Sequence, residues 1–518
     1  MKRAFIAFVL AFAYVGPALA QAPPPDGAAS ATPVAPPAST GRLPTAPPPP
    51  PPMSSDIPPD VPTTPTPLVT LTPPPQQRTP LTLEEVLATV ETRYPLLLAE
   101  MQSLTAAQGE EYSAQGSFDP KWKTKATTFP VGYYQYGMID TVIEQPVYWR
   151  GLTVFGGYRL GQGKFPLYYD GYRTNSLGEA RVGVIVPLLR GGSIDEERAK
   201  LWKADAGVIA AREGLAATKL DFQRGASYKY WEWIAASKKV ELAKALLQRA
   251  LDRNTAINTR VARGDAPAVD RTDNARAIVQ REQQVVSAER TLTTARLALS
   301  LYLRDAEGNP VIPSEERVPE FFPEPIQLDA RTVENDVSRA LGRRPEIRVY
   351  EARRRQYEVE RSLAENDAWP TLNLLVAGAK QFGDGYPERQ PAALEAGLYL
   401  DIPLRTRKAD GRAQAAGARF MQYDLQLRYV KDKISLEVRD AAAGTDAAAA
   451  RLGLVRRELD LAKQLEQAER QRFDMGDSTM LFVNIREQGT FDAAIREVDA
   501  LLDHHKALAL YRAVVAAP

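Results

Sequence analysis

Cysteine is absent from this chain of 518 residues, and histidine occurs only twice, at His504 and His505. A disulfide framework, a thiolate metal site and a cysteine nucleophile are therefore excluded. The two histidines are adjacent, so they cannot share one face of a helix. No glycine-rich phosphate loop follows a strand pattern. This inventory predicts a protein that is not an enzyme and that holds no metal or other cofactor.

The chain also has no large excess of charge of either sign. The 65 lysine and arginine residues are balanced by 64 aspartate and glutamate residues, so no basic surplus favours nucleic-acid binding. Beyond the first 20 residues, no stretch approaches the ~18 consecutive apolar residues that a transmembrane helix requires. If the chain crosses a membrane, the sequence permits only a β-barrel.

The N-terminus, residues 1–20, has the layout of a secretory signal peptide. Lys2 and Arg3 precede the apolar run Ala4–Val15, and Ala18-Leu19-Ala20 supplies the small residues of a cleavage site. A buried N-terminal helix is the alternative. We expect the mature protein to leave the cytoplasm. Because it has no disulfides, it must be stabilised by burial or by assembly.

Residues 21–80 are rich in proline, since 22 of the 41 prolines lie between positions 23 and 80. Such a segment forms neither helix nor sheet and buries no core. It is therefore predicted to be a disordered tether of polyproline-II character. The alternative is a specific ligand for a partner or for the cell wall.

From residue 81 onwards the chain is an internal duplication. The stretch LTLEEVLATVETRYP has its counterpart in RTVENDVSRALGRRP, so that Pro95 corresponds to Pro345. Further on, RVARGDAP corresponds to RFDMGDST, which pairs Gly264 with Gly476. The two repeats are predicted at 81–304 and 331–518, joined by an equatorial connection at 305–330.

Each repeat has the same predicted order of elements. A short helix comes first, capped in the first repeat by the capping box Thr82-x-x-Glu85, and a helix of about six turns follows. Strands and a proline lead into a very long, heptad-patterned helix, which turns back near residue 264 or 476. The long helix 193–263 matches the length of the returning helix and of helix 346–368 placed end to end. We expect those two to pack along it.

The strands alternate between an apolar and a polar face. In Ala393–Ile402 the leucines share one face, and Glu395 and Asp401 lie on the other. With Thr371–Lys380 this strand forms a predicted β-hairpin at about 371–403. Strands of about ten residues with this pattern are typical of a transmembrane barrel, although a soluble sheet packed on helices also alternates. The signal peptide, the missing cysteines and the long helices favour the barrel.

The first repeat has a longer strand region, at about 121–188. The stretch VIEQPVYWRG reaches Pro146 and is followed by another strand pattern, LTVFGGYRLG, before the chain arrives at Pro187. Two hairpins, Lys121–Pro146 and Leu152–Pro187, would give six strands in the chain. The alternative is that residues 129–178 form an enlarged extracellular loop folded above an ordinary barrel.

These stretches resemble the TolC-like outer-membrane factors, the outer membrane efflux protein family. VPLLRGG and IPLRTRKADGRAQAA are similar to that family's strand-to-helix exits. RVARGDAPAVDRTDNARA and RFDMGDSTMLFVNIREQ are similar to its two hairpin tips. The resemblance covers the chain from Thr82 to Val515. It implies an α+β membrane protein: a trimeric outer-membrane β-barrel continuous with a long periplasmic α-helical coiled-coil barrel, internally duplicated.

The resemblance also implies a function and partners. The expected protein is a channel-tunnel of a tripartite efflux pump or of a type I secretion system, conducting substrates from the periplasm to the exterior. The chain is expected to form a homotrimer. Its other expected partners are a periplasmic adaptor (membrane fusion) protein, an inner-membrane pump or ABC transporter, and outer-membrane lipid. A soluble periplasmic scaffold or adaptor is the alternative; it explains the heptads but not the strands. The family's usual plan has four strands per protomer, so six would close an eighteen-stranded trimer.

Three groups of site residues follow from the resemblance. Proline ends a strand ladder and is tolerated where a helix begins, so the barrel–helix junctions are expected at Pro120, Pro187, Pro370 and Pro403. The hairpin tips that dock the adaptor are expected at Gly264, Asp265, Gly476 and Asp477. Asp270 and Asp273 are candidates for a periplasmic gate, a solvated polar turn being the alternative. In the second repeat, Phe482 and Ile485 stand where the family leads us to expect acidic residues.

Overall fold

The computed structural model describes residues 79–265, 267–326 and 330–516. The predicted signal peptide and nearly all of the predicted tether lie outside these ranges. The helices are α1 (Leu83–Arg93), α2 (Pro95–Gln115), α3 (Glu196–Arg263), α4 (Ala268–Ser300), α5 (Ala330–Arg343), α6 (Pro345–Asp367), α7 (Arg407–Asp474) and α8 (Met480–Val514). The strands are β1 (Lys121–Phe129), β2 (Tyr136–Pro146), β3 (Thr153–Gly163), β4 (Gly178–Pro187), β5 (Thr371–Phe382) and β6 (Ala393–Asp401).

The predicted N-terminal cap of the first repeat forms in part. The Thr82 side chain accepts a hydrogen bond from the Glu85 backbone N–H at 3.2 Å. The Glu85 carboxylate does not return to the Thr82 backbone; it pairs with Arg317 at 2.6 Å. The reciprocal half of a capping box is thus replaced by an ion pair to the connecting segment. Pro95 and Pro345 begin α2 and α6 at equivalent places.

The two long helices, α3 and α7, have 68 residues each, which corresponds to roughly 100 Å. The first half of α3 packs against α2 and α6, where Lys203 pairs with Glu360 at 2.5 Å. The second half packs against α4 and α8, where Arg281 donates to the Leu246 carbonyl at 3.2 Å. The prediction from helix lengths, that α4 and α6 follow one another along α3, is confirmed.

The largest apolar core lies midway along α3. Trp233 and Ile234 are completely buried there against Val86 and Val90 of α1 and against Leu299 of α4. A second core forms in the second repeat where α5 covers Ile434 and Val438 of α7. The short helices therefore cover the apolar sides of the long helices.

The strands form one antiparallel sheet in the order β1-β2-β3-β4-β5-β6. The two repeats meet where β4 pairs with β5, from Gly178 opposite Phe382 to Pro187 opposite Asn373. The turn between β2 and β3 lies at the helical end of the sheet, because the Tyr148 hydroxyl accepts a hydrogen bond from Trp202 of α3 at 2.7 Å. The prediction of two hairpins in the first repeat is confirmed, and the enlarged-loop alternative for residues 129–178 is wrong.

Candidate functional site: a two-faced sheet and two hairpin tips

One face of the sheet is apolar and exposed. The pairing register places Trp122 beside Ile143 and Val376 beside Val184, all on this face. Trp122 is 78% exposed. Other exposed apolar side chains of the same face are Ile139, Val154, Tyr158, Val182, Leu394, Leu398 and Leu400. A contiguous apolar surface of this extent marks a site of contact with lipid or with another protein.

The opposite face is charged and internally paired. Asp140 accepts hydrogen bonds from Arg159 at 3.1 Å and from Arg181 at 2.7 Å. Arg159 lies 3.7 Å from Glu179 across the neighbouring strand pair. Charged side chains are costly to place against lipid, whereas water solvates them. This face is therefore suited to water, and the other is not.

The two edge strands have no partner strand within the described sheet. β1 and β6 are nine residues long each, and both are exposed along almost their whole length. Unpaired N–H and C=O groups on long edges are a template for another strand. The charged face of β1 carries Lys121, Lys123 and Lys125, whereas that of β6 carries Glu395 and Asp401.

The four predicted junction prolines lie at the end of the sheet that borders the helices, three of them outside the strands and Pro187 as the last residue of β4. Pro120 precedes β1, Pro370 precedes β5, Pro187 ends β4 and Pro403 follows β6. Beyond Pro187 the chain stays beside β5, because the Leu188 N–H donates to the Leu372 carbonyl at 2.7 Å.

The exits from the sheet share one carboxylate, which the sequence did not single out. At the end of α6, Asp367 binds Arg190 of the first exit at 2.8 Å and Arg412 of α7 at 3.0 Å. One side chain thus joins the ends of β4 and β6 to the helix that leads into β5.

The two hairpin tips are the same turn. Gly264 and Gly476 have φ of 79° and 83°, and both follow the long helices in the left-handed region, Gly264 directly after α3 and Gly476 one residue after the α7 C-cap Met475. The next N–H, of Asp265 or Asp477, donates back to the Arg260 carbonyl at 2.9 Å or to the Arg472 carbonyl at 2.8 Å. This is the Schellman arrangement, in which glycine is favoured because it has no Cβ.

A buried charged cluster joins four helices about three turns from the tips. Glu487 of α8 binds Arg253 of α3 at 2.7 Å, Arg281 of α4 at 2.8 Å and Arg470 of α7 at 2.8 Å. Burial raises the pKa of Glu487, but Arg253 and Arg281 together outweigh it, so this pKa lies below its ordinary value. The carboxylate is charged and holds the two hairpins together.

Sequence reasoning missed this cluster, although a signal exists. Glu487 follows Met480 and Val483 and precedes Thr490, at the spacing of the buried stripe of α8. Arg281 follows the buried Asn274 by one heptad on α4. A charge inside an apolar stripe on each of two helices indicates a buried ion pair.

The proposed gate residues are not part of this cluster. Asp270 lies half-buried in the first turn of α4. Asp273 borders a groove between α4 and α8, which Asn484 and Ile485 also line. Phe482, in the corresponding part of the second repeat, is about half-exposed.

The two histidines have packing roles. The His505 ring stacks on Trp231 at 4.3 Å and on Phe322 at 5.5 Å. His504 accepts a hydrogen bond from the Ile326 N–H at 3.2 Å. Across the described ranges, His, Asp and Glu side chains form no group of three that could hold a metal ion.

Of the helices that the structure describes, none is long and apolar enough to cross a membrane.

At the level of sequence, no family model and no curated protein matches the chain. Solved structures are similar in fold. A membrane protein from Pseudomonas aeruginosa superposes with a TM-score of 0.60 at 17% identity, covering 84% of this chain and 92% of that one. The outer membrane protein VceC of Vibrio cholerae gives 0.58 at 17% identity, covering 84% and 95%. The MtrE outer membrane channel of Neisseria gonorrhoeae in its open state gives 0.59 at 15% identity, covering 84% and 88%. This chain therefore has the fold of the outer-membrane channel proteins that its sequence resembles.

Proposed function

We propose that the protein is the outer-membrane channel-tunnel of a tripartite efflux pump or type I secretion system, and that three copies form a continuous conduit from the periplasm to the exterior. The observation that carries this proposal is the sheet with one uncovered apolar face, one charged face and two open edges. Contact with lipid covers the apolar face, and contact with water in a lumen solvates the charged face.

Closure of the sheet supports assembly from copies of the same chain. In lipid an open edge is not tolerated, and six strands are too few for a wide barrel. Because β1 and β6 are equally long, a full overlap pairs Lys121 of one copy with Asp401 of the next. The chain's even number of strands makes that contact antiparallel, like every other pair in the sheet.

The geometry of this closure is that of known barrels. When the paired residues are followed across the sheet, Lys121 on β1 is level with Glu395 on β6. The proposed partner of Lys121, Asp401, lies six residues further along β6, so closing the barrel shifts each copy by ~20 Å along the strand direction. Over the ~29 Å width of six strands, this shift corresponds to a strand tilt of roughly 35°. This value is within the usual range for barrels, and three copies close as an eighteen-stranded barrel of roughly 17 Å radius.

The helices continue the conduit into the periplasm, and the tips Gly264-Asp265 and Gly476-Asp477 are its far end. An adaptor protein docks there, and an inner-membrane pump or ABC transporter supplies the energy. Asp270 and Asp273 lie close enough to this end to contribute to a gate that repels anions or holds cations. Pro120, Pro187, Pro370 and Pro403 serve as the junctions at which strands become helices.

The alternative, a soluble periplasmic scaffold, accounts for the helices but leaves the apolar face of the sheet in water. Leu394 and Leu398 are 80% and 70% exposed, and exposing such a surface favours aggregation.

Two experiments test the proposal. The protein extracted from the outer membrane in detergent should run as a trimer that heating converts to a monomer, and it should conduct ions in planar bilayers. A folded, water-soluble monomer without conductance would overturn it.

The topology is tested with one cysteine at Trp149, in the turn between β2 and β3. A bulky thiol reagent that does not cross the outer membrane should reach it from the periplasm but not on intact cells. Gly151 is less suitable, because a Cβ there would lie 2.5 Å from Asp195.

A further inference from the structure

The segment between β3 and β4, residues 164–177, folds over the charged face of the sheet. The Phe165 ring packs on Tyr136 of β2 at 4.3 Å. The Tyr172 ring lies against the Arg159 guanidinium of β3 at 4.8 Å. Tyr136 and Arg159 are on the same face as Asp140. The segment, which we call the inner loop, therefore covers the face that is internal in the proposed conduit.

The inner loop packs directly against the backbone of β3 at Gly161. A Cβ on Gly161 would lie 2.0 Å from the Tyr172 carbonyl oxygen, so only glycine permits this approach. The Gly161 N–H donates to the Thr174 hydroxyl at 3.1 Å, and the Thr174 N–H donates to the Gly161 carbonyl at 2.9 Å. The loop is thus bonded to the strand that it covers.

The loop between β5 and β6 contacts the inner loop from its other side through Arg389 and Tyr386, and we call these contacts the clasp. Arg389 binds the Asp170 carboxylate at 2.6 Å and also donates to the Arg173 carbonyl. The buried side chain of Asn175 accepts from the Tyr386 N–H at 2.9 Å. These contacts join the connections of two separate hairpins, one from each repeat.

The part of the inner loop that remains uncovered is aromatic and apolar. Leu167 and Tyr168 are 93% and 79% exposed, and Tyr169 and Tyr172 are partly exposed. We propose that the inner loop is a constriction at the outer mouth of the conduit, which limits passage by size and presents these rings to passing molecules. This inference rests on the proposed function, because it requires the charged face to line the lumen.

Dimensions support a constriction. A layer packed on a sheet stands ~10 Å above it. In a barrel of roughly 17 Å radius, three such layers leave a central opening of roughly 7 Å radius before side chains are counted. Without them, the opening is limited only by the strands' own side chains.

The test uses single cysteines, since the chain has no native thiol. Asn373, on the charged face of β5 towards the helical end, is replaced by cysteine as the lumen probe. Val131, 81% exposed in the turn between β1 and β2, supplies the outer control. Intact cells are treated with a small methanethiosulfonate and, separately, with a bulky maleimide-dextran. Each probe is combined with Arg389→Ala, which removes the contacts of the clasp to Asp170 and Arg173, or with Glu388→Ala, the matched neighbour on the same loop. A second variant replaces Leu167–Tyr172 with glycine and serine at equal length.

In the parent protein the small reagent should label Asn373→Cys and the bulky one should not. Arg389→Ala or the glycine-serine loop should speed bulky labelling by roughly tenfold or more, and Glu388→Ala should leave it unchanged. Equal bulky labelling in the parent, the clasp variant and the loop variant would overturn the constriction while leaving the conduit intact. If even the small reagent fails at Asn373→Cys in every background, although Val131→Cys reacts, the charged face does not line a conduit. The proposed function then fails as well. Heat-modifiable trimers verify folding of each variant.

Discussion

Arg281 of α4 donates to Glu487 of α8 at 2.8 Å, and the two side chains are 2% and 1% exposed. Arg253 and Arg470 share the same carboxylate. A buried carboxylate with three arginines is more costly to break than to keep, because removing it leaves positive charges without a counter-charge. The cluster is therefore one of the contacts that hold the first hairpin to the second.

Glu487→Gln should lower the free energy of unfolding by about 3–5 kcal/mol, since it removes the carboxylate charge that Arg253 and Arg281 share. Glu458→Gln is the matched control on an exposed pair with Arg496, and should cost less than about 1 kcal/mol. Thermal or urea unfolding of the detergent-extracted trimer, followed by circular dichroism, measures both. Equal midpoints for the two variants would show that the cluster does not hold the hairpins together.

The sequence predicted the parts of this molecule that depend on periodicity. Strand alternation was sufficient to predict the strand hairpins, and the paired glycines were sufficient to predict the turns that follow α3 and α7, because these features are local. The Glu487 cluster and the inner loop depend on which elements meet in space. The sequence therefore did not indicate that Gly161 lies against the Tyr172 carbonyl. It also did not indicate that Asp367 pairs with both Arg190 and Arg412.

Stability should fall as the pH is lowered from 7 to 5, and His505 should be a cause. Burial lowers the pKa of His505 from 6.5 to about 4, and His504 beside it acts in the same direction. Between these values the unfolded chain takes up a proton that the folded chain does not, so folding loses about 2 kcal/mol by pH 5. His505→Phe keeps the stacking on Trp231 and should remove this share of the pH dependence.

Glu487 does not contribute in that pH range. Its pKa is lowered in the folded protein, so its stabilising effect is present above the ordinary carboxyl range and is lost only at lower pH. Unfolding midpoints at pH 7 and pH 5 for the parent and His505→Phe therefore report on the histidine. An unchanged pH dependence in His505→Phe would assign the effect to other groups.

Valine at Gly264 or at Gly476 should abolish export while trimers still assemble. Each position has a positive φ, but no atom lies within 4 Å of the place that a Cβ would occupy, so the cost is backbone strain of about 1–2 kcal/mol and not a clash. This strain alters the shape of the tip where the adaptor is proposed to dock. Gly453→Ala, also in open space but inside α7, should be neutral or slightly stabilising. Export is measured as drug or substrate efflux from cells, and full export by both valine variants would place docking elsewhere.

The contact between copies is testable by register, because full overlap of β1 and β6 pairs Thr124 of one copy with Leu398 of the next. Directly opposed residues have Cα atoms about 4.5–5.5 Å apart, which suits a disulfide, whereas residues displaced by two along the strand are too distant. Mild oxidation of a Thr124→Cys, Leu398→Cys variant should therefore give covalent dimers and trimers on denaturing gels. The pair Thr124→Cys, Ala396→Cys is the matched control and should remain mostly monomeric. Stronger cross-linking in the control would shift the register by two residues and separate Lys121 from Asp401. If neither pair cross-links while trimers are present, the copies meet along edges other than β1 and β6.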